Sequence, residues 1–383
     1  MMPKAKYHEG YVGPRAIFDR DFIPPNILHR QKEERSLFTM IKDSLTDSFN
    51  VNILYQGIEG IGKKVIINKV IRDLNNFHEN DMNMWKIKVN CQEKNLEELI
   101  ISILSEIDKI QGFKIDFHQI LNCDLSDLWK LFKLACQKIE FKPIFVFNNI
   151  EHLDPKIFRK FIQYGREAKI SLVSTINKIL RPSSYDLYSQ IDFKVNLNYF
   201  SYNQLHDILQ QRVSLSFLQD IDKELIEYIT DLIFENYVPV PGKGVEILKE
   251  LYPFLNDRPS QNFGLFEIIQ NQFDPLQMSD EFSMLSYISE EELLTLIFLD
   301  NLSNFFLKKK IYYINISELK ELYFVACENL DYKKSNNEFN DLIKTYQNIG
   351  IIRNSKNTSE QRFFMTIAPK QLKTIIDTIF TKF

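Results

Sequence analysis

The chain has 383 residues, 44% of them hydrophobic and 26% charged, with 31 Phe and 17 Tyr; it is too long for one core and too apolar for large-scale disorder, so two or three domains are expected at roughly 100–200 residues each. The net charge of −4 excludes a protein that meets nucleic acid with its whole surface, though not one with a local basic face. From residue 293 onward 13 Lys and Arg stand against 9 Asp and Glu, leaving that end at +4 and the rest at −8, a mild asymmetry that scattered solvated charges also produce.

The polar start Met1-Met2-Pro3-Lys4-Ala5-Lys6 has no apolar leader core, and no stretch reaches the roughly 18 apolar residues of a membrane span, so a soluble intracellular protein is expected. Residues 1–30 are rich in Pro and Gly and read as an extended entry segment, because proline disfavours helix in the residue before it. A helix over 32–44 follows, with Leu37, Ile41 and Leu45 on one face. Residues 51–55 form a short β-type run, then a glycine-rich loop, then a helix through Val65, Ile66, Val70 and Ile71. Strands over 85–90, 144–147, 170–175 and 193–197 alternate with helices over 95–109 and 157–168, which predicts a parallel α/β sheet with right-handed crossovers ending near residue 200.

From 204 to about 253 the pattern turns helical, with Leu205, Ile208, Leu209 and Val213 and then Leu225, Tyr228, Ile229 and Leu232 at spacings of three and four. Residues 253–288, with Pro253, Pro259 and Pro275, read as a connector around one short helix near 266–269. The capping-box pattern Ser289-Glu290-Glu291-Glu292 opens a last unit: helix 290–307, β-type 311–316, helices 317–330 and 335–348, then two strands, 351–353 and 362–367, around the polar tip 354–361. Three helices followed by a two-stranded hairpin is the winged-helix arrangement. The expected domains are thus 1–200, an α/β nucleotide-binding sheet; 201–288, a helical lid and connector; and 289–383, an α+β winged helix. Cys91, Cys123, Cys136 and Cys327 form no C-x-x-C pair and there are 6 His, so neither a zinc site nor a disulfide framework is expected.

Between the first strand and its helix, Gly57-x-x-x-x-Gly62-Lys63 has the spacing of a phosphate-binding loop. Glycines let successive N–H groups of residues 57–65, including Gly60, Ile61, Lys64 and Val65, turn toward an anion; the helix start adds partial positive charge and Lys63 reaches the outer phosphates. ATP or ADP is the expected ligand. Three positions break the pattern of a working ATPase. Lys64 stands where a Ser or Thr hydroxyl ordinarily holds Mg²⁺, and the strand at 144–147 ends in Asn148-Asn149, where an Asp for the metal and a Glu for water are expected. Asparagine brings no formal charge and accepts no proton at neutral pH, so a role for Mg²⁺ is doubtful and hydrolysis should be very slow or absent. Glu151, beyond the strand end, is either a substitute acid or a solvated loop carboxylate. Mg²⁺ with Asp sums to +1, as does Lys64 with Asn148; the ammonium either replaces the metal or marks drift in a retired site.

These features resemble the AAA+ origin-recognition-complex and helicase-loader family of replication initiators across nearly the whole chain. The resemblance rests most on the box Phe18-Asp19-Arg20-Asp21-Phe22-Ile23-Pro24-Pro25-x-x-Leu28-His29-Arg30-x-x-Glu33, which implies that Ile23, Pro24 and Arg30 lie near an adenine base. It continues at Lys88-Val89-Asn90-Cys91-Gln92, at Asn177 in the polar sensor position, at Gln204-Leu205-x-x-Ile208-Leu209-x-x-Arg212 in the lid, and at Asn348-Ile349-Gly350-Ile351-Ile352 before the wing. The family's lid arginine is replaced by Val245, and the arginine that reaches a neighbour's nucleotide has Arg181 as its one nearby candidate. The resemblance therefore implies a pseudo-ATPase paralogue with a cytoplasmic, nucleoid-associated or nuclear location, and with related initiator subunits or a replicative helicase as partners.

In a winged helix the third helix enters the major groove and the hairpin touches phosphate or minor groove. The expected contacts with double-stranded DNA are Lys333, Lys334, Asn336, Asn337, Asn340 and Lys344 on or before that helix, and Arg353, Lys356 and Arg362 in the wing. Winged helices also bind proteins, so a protein-interaction scaffold and an ATP-hydrolysing loader stand as alternatives to a nucleotide-stabilised DNA-binding initiator.

Overall fold

The computed structural model describes residues 10–77, 86–92, 95–139, 143–178, 189–257, 265–270, 272–273, 293–357 and 361–382. The chain divides into two compact units, residues 21–199 and residues 1–20 with 200–383. None of the described helices is long and apolar enough to cross a membrane.

The short helix α1 (Arg15–Phe18) belongs to the second unit; the first contains α2 (Gln31–Thr46), β1 (Asn52–Gln56), α3 (Lys63–Phe77), β2 (Lys86–Asn90), α4 (Leu96–Gln111), α5 (Phe117–Ile120), α6 (Leu125–Lys138), β3 (Ile144–Asn148), α7 (Pro155–Glu167), β4 (Leu172–Ile176) and β5 (Phe193–Asn196). The strands form one parallel sheet in the order β2-β3-β4-β1-β5. Every residue of β1, β3 and β4 is buried, which is why their sequences read as unbroken runs rather than alternations. The chain leaves β1 for β2 in one direction and leaves β4 for β5 in the other, so the order reverses between β1 and β4. At such a reversal the loops after the strands part and open a ligand crevice. One face of the sheet is covered by α4, α6 and α7, where Trp129, Phe132, Phe145, Phe147 and Phe161 interlock with ring centroids 4.8–6.3 Å apart. Helix α6, capped by Asp124 accepting from the Asp127 N–H, was not among the elements read from the sequence.

The second unit holds α1, α8 (Tyr202–Ser216), α9 (Lys223–Asn236), α10 (Pro241–Asp257), α11 (Leu265–Gln270), α12 (Leu293–Lys309), β6 (Ile314–Asn315), α13 (Ile316–Asn329), α14 (Asn336–Ile349), β7 (Ile352–Asn354), β8 (Arg362–Met365) and α15 (Pro369–Lys382). The entry segment differs from the expectation that placed it with the sheet. Ala16 and Ile17 are buried, Val12 and Gly13 N–H donate to the Leu215 carbonyl, and Arg212 donates to Ala16 O, so residues up to Arg20 join α8 and α10. Helix α10 runs on through Pro253 for a further turn, because a proline this close to the helix end removes only one backbone bond.

The C-terminal part is a winged helix: α12, α13 and α14 with the antiparallel sheet β6-β8-β7. The β-type run expected over 311–316 shrinks to Ile314–Asn315, because Asn315 caps α13 in a capping box with Glu318, two residues before the expected start. Ser335 caps α14 through the Glu338 N–H, as its start signal implied. Helix α15 was not anticipated; it buries Leu372, Ile376 and Ile379 in the same core as α12. Trp85, Arg181, the 289–292 capping pattern, the connector residues 258–264 and 274–288, and 358–360 of the wing tip lie outside the described residues.

Candidate functional site

The loop between β1 and α3 lies at the sheet's order reversal. Gly57, Gly60 and Gly62 have φ of 150°, 78° and 103°, conformations that place successive amides on the inside of a turn and that L side chains adopt at a cost. At Gly57 a Cβ would also press on the Leu197 carbonyl and the Ile61 side chain, so glycine is needed there for space as well as backbone freedom. Ile61 is fully buried and pins the loop, Val65 is half-buried in the first turn of α3, and Lys64 is exposed. Lys63 is 5% exposed, and its Nζ donates to the carbonyls of Gly57 at 2.5 Å and Ile58 at 2.8 Å. Burial lowers its pKa to about 8, with Glu151 and Glu59 pulling it up and Lys64 pushing it down. Glycine backbone, helix start and a buried ammonium make an anion cradle, so these residues fit a nucleotide's phosphates.

The ends of the neighbouring strands carry carboxamides. Asn148 is buried, and its Oδ1 accepts from Thr175 Oγ1 at 3.4 Å. Asn149, in the left-handed region at φ 59°, donates through Nδ2 to Asn90 Oδ1 at 3.1 Å and Gln92 Oε1 at 3.3 Å, and accepts from Asn177 Nδ2 at 3.1 Å. Asn149 and Asn177 are thus brought together, while Asn148 meets Thr175. The partners Asn90, Gln92 and Thr175 were not singled out; the signal available was polar residues recurring where parallel strands end. Glu151 is turned back toward the cradle: its Oε2 accepts from the Asn177 N–H at 3.3 Å and its charge acts on Lys63. The same charge, after burial itself, pushes the Cys91 thiol up to about 12.

Mg²⁺ is ordinarily held by one or two carboxylates together with phosphates. Two residues beside the cradle do not supply such a carboxylate: Lys64 is a cation, and Asn148 is an amide engaged by Thr175. Of the expected base-side residues, Pro24 is buried and Ile23 half-buried. Arg30 is 7% exposed, pairs with Glu33 at 3.5 Å and donates to the Asn198 carbonyl; burial lowers its pKa against the pull of Glu33. Arg30 is therefore a brace between the start of α2 and the segment after β5.

The expected DNA contacts divide in two. Asn336, Asn337, Asn340 and Lys344 are exposed along α14, after the exposed Lys333 and Lys334. Lys344 lies 3.7 Å from Asp341, and Lys334 pairs with Glu328. The wing cations face helix α9 instead. Arg362 pairs with Glu227 and stacks 3.9 Å over the Tyr313 ring, while Arg353 and Lys356 share Glu235 at 3.4 and 2.9 Å. Between those carboxylates Asp231, fully buried, accepts from Tyr313 OH at 2.9 Å, Ser355 Oγ at 2.7 Å and the Lys356 N–H at 2.8 Å. Burial raises its pKa, with those hydrogen bonds and Arg362 acting the other way. Glu227, Asp231 and Glu235 recur every four residues, a stripe visible in the sequence and not read there.

No protein-family model matches the chain, and no curated protein matches it. Solved structures do. Cdc6p from Pyrobaculum aerophilum aligns over 96% of this chain and 98% of its own, with a TM-score of 0.69 at 16% identity. The Aeropyrum pernix ORC1 protein in complex with DNA aligns over 97% and 98%, with a TM-score of 0.55 at 16% identity. The Aeropyrum pernix ORC2 protein in ADPNP-ADP complexes gives the same coverage and identity with a TM-score of 0.53. At such identities the likeness shows the fold alone: a five-stranded parallel sheet with helices, followed by a C-terminal part with a small antiparallel sheet, shared with Cdc6 and ORC proteins.

Proposed function

We propose that this chain, built on the fold of Cdc6 and origin-recognition proteins, is a DNA-binding initiator-type subunit that holds ATP or ADP as a structural ligand with little or no hydrolysis. The neighbours named for nucleotide and for DNA complexes support the two ligand classes. The observation that carries the reading is the closed carboxamide network. Asn149 has both ends of its amide engaged by Asn90, Gln92 and Asn177, so the position ordinarily given to a water-activating acid is a hydrogen-bonded strut with no proton-accepting carboxylate. With Lys64 beside the cradle and Asn148 in place of an acid, the nucleotide is held without Mg²⁺, the exposed ammonium supplying the positive charge that the metal otherwise brings. Double-stranded DNA and related initiator subunits or a replicative helicase are the proposed partners, and the nucleoid or nucleus the proposed location.

Nucleotide affinity of the purified chain measured with Mg²⁺ and with EDTA tests the reading. Equal affinities are expected; a strict Mg²⁺ requirement overturns the metal-free part. A second reading, an ATP-hydrolysing loader, draws support from Glu151, whose carboxylate faces Lys63 and the Asn177 N–H. It predicts DNA-stimulated turnover that both Lys63→Ala and Glu151→Gln abolish, whereas a structural nucleotide predicts background rates in all three proteins.

A further inference from the structure

Resting on the nucleotide-binding reading above, we infer that Asn148 is itself a phosphate-binding residue: its Nδ2 donates to an oxygen of a nucleotide bound without metal, and Thr175 holds the amide in the orientation that makes this possible. The placement follows from strand geometry. Residues of a strand point alternately to the two faces of its sheet. Phe145 and Phe147 of β3 and Leu172 and Ile176 of β4 lie in the core on the side of α4, α6 and α7, so Asn148 and Thr175 point to the other side. That is the side of α2 and α3. Tyr55 of the neighbouring β1, in register with Thr175, donates to the Glu33 carbonyl of α2, and α3 packs on α2 and β4. Because the strands run parallel, Asn148 and Thr175 also lie at the end of the sheet where the glycine loop leaves β1 and α3 begins. A buried amide thus stands on the same face and at the same end of the sheet as the anion cradle.

The polarity of that amide is set by a hydrogen-bond relay. The Asn149 N–H donates to Thr175 Oγ1 at 3.2 Å, and Thr175 Oγ1 donates to Asn148 Oδ1 at 3.4 Å. Thr175 is fully buried, and among the described residues Asn148 Oδ1 is the one acceptor that its hydroxyl proton has. Turning the amide over would face Nδ2 to the hydroxyl and leave that proton without an acceptor, which buried polar groups seldom tolerate. The oxygen is therefore committed inside the sheet and the NH₂ group is left over. Asn148 is 2% exposed, and among the described residues nothing accepts from its Nδ2. For Mg²⁺ this is the wrong end of the amide, since a hard cation takes the oxygen. For a phosphate oxygen it is the right end, a donor that adds to the Lys63 ammonium and the start of α3.

Calorimetric titration of ADP and of ATP, each in EDTA and in Mg²⁺, tests this, with melting of the ligand-free chain as the check on folding. Loss of one hydrogen bond to a charged group lowers affinity by roughly 10- to 100-fold, and that loss is expected for Asn148→Ala in EDTA. In Asn148→Asp an acceptor replaces the donor. Its affinity in EDTA should fall at least as far and Mg²⁺ should recover it, so that the variant gains a metal requirement the parent lacks. Parent-like affinity of either variant in EDTA overturns the inference. Thr175→Val removes the hydroxyl and frees the amide to turn, so affinity in EDTA should fall, whereas Thr175→Ser keeps the hydroxyl and should stay at the parent's level. A valine variant as tight as the parent, or a serine variant as weak as the valine one, overturns the positioning role of Thr175. If the parent binds ADP and ATP only with Mg²⁺, the inference falls while the nucleotide reading stands; if it binds neither in either buffer, both fall.

Discussion

In the proposed nucleotide site, the buried charge of Lys63 couples binding to pH. Its ammonium lies among loop carbonyls, and burial lowers its pKa to about 8 from the ordinary 10.5. A phosphate group favours the charged form and so raises that pKa in the complex. Below pH 8 the free chain already carries the proton and affinity is at its plateau; above it, binding must draw a proton from solution, and affinity falls by up to tenfold per pH unit. Calorimetric titration from about pH 7 to about pH 10 checks this, and Lys63→Gln should flatten the profile. A flat profile in the parent would mean that Lys63 does not touch the anion. Asn149 makes a complementary case. In Asn149→Asp, a carboxylate replaces an amide that donates to Asn90 Oδ1 and Gln92 Oε1, setting acceptor against acceptor, at an expected cost of about 1–3 kcal/mol in urea unfolding. An acid at this position is thus expected to weaken the fold without starting turnover; an equally stable, hydrolysing variant would show that the network is incidental.

Among elements, α10 approaches α8 closely at Gly244. A Cβ on Gly244 would overlap the side chain of Leu209, which is 1% exposed. Alanine ordinarily gains up to about 1 kcal/mol over glycine inside a helix, while overpacking a core costs about 1–3 kcal/mol. The overlap should win: Gly244→Ala is expected to lower the urea midpoint, and Leu209→Val added to it should recover part of the loss. The glycine was visible in the sequence, but its reason was not, because Leu209 lies 35 residues earlier. The same distinction separates what was legible from what was not. Elements with strong local periodicity or a local motif, such as α2, β1, the glycine loop and α14, are readable to within a residue or two, and so are the cradle residues 57–65 and the asparagines that end β3. Misplaced features depended on distant partners. Helix α15 shows its apolar spacing only once α12 is there to receive Leu372 and Ile376, and the entry segment reads as a neighbour of the sheet until Leu215 and Arg212 claim it. In the wing, the sequence shows Arg353, Lys356 and Arg362 but not the carboxylates more than a hundred residues away that meet them.

At the scale of the whole chain, the division into residues 21–199 and residues 1–20 with 200–383 has a thermodynamic consequence. Each unit has its own core, the first around Phe132, Phe145 and Phe161 and the second including Phe298, Tyr323 and Tyr346. Chains built this way commonly depart from two-state unfolding. The cradle residues lie in the first unit, whereas Asp231 and Arg362 lie in the second. A ligand that binds only the folded state stabilises the part it contacts, by about 2.7 kcal/mol at a hundredfold excess over its dissociation constant. Differential scanning calorimetry should therefore resolve two transitions. Nucleotide is expected to raise one of them, equally with Mg²⁺ or EDTA, and to leave the other in place; Asp231→Ala is expected to lower the second and leave the nucleotide shift intact. If nucleotide and Asp231→Ala move a single shared transition instead, the two units unfold together, and the nucleotide's stabilising effect reaches the winged helix as well as the sheet.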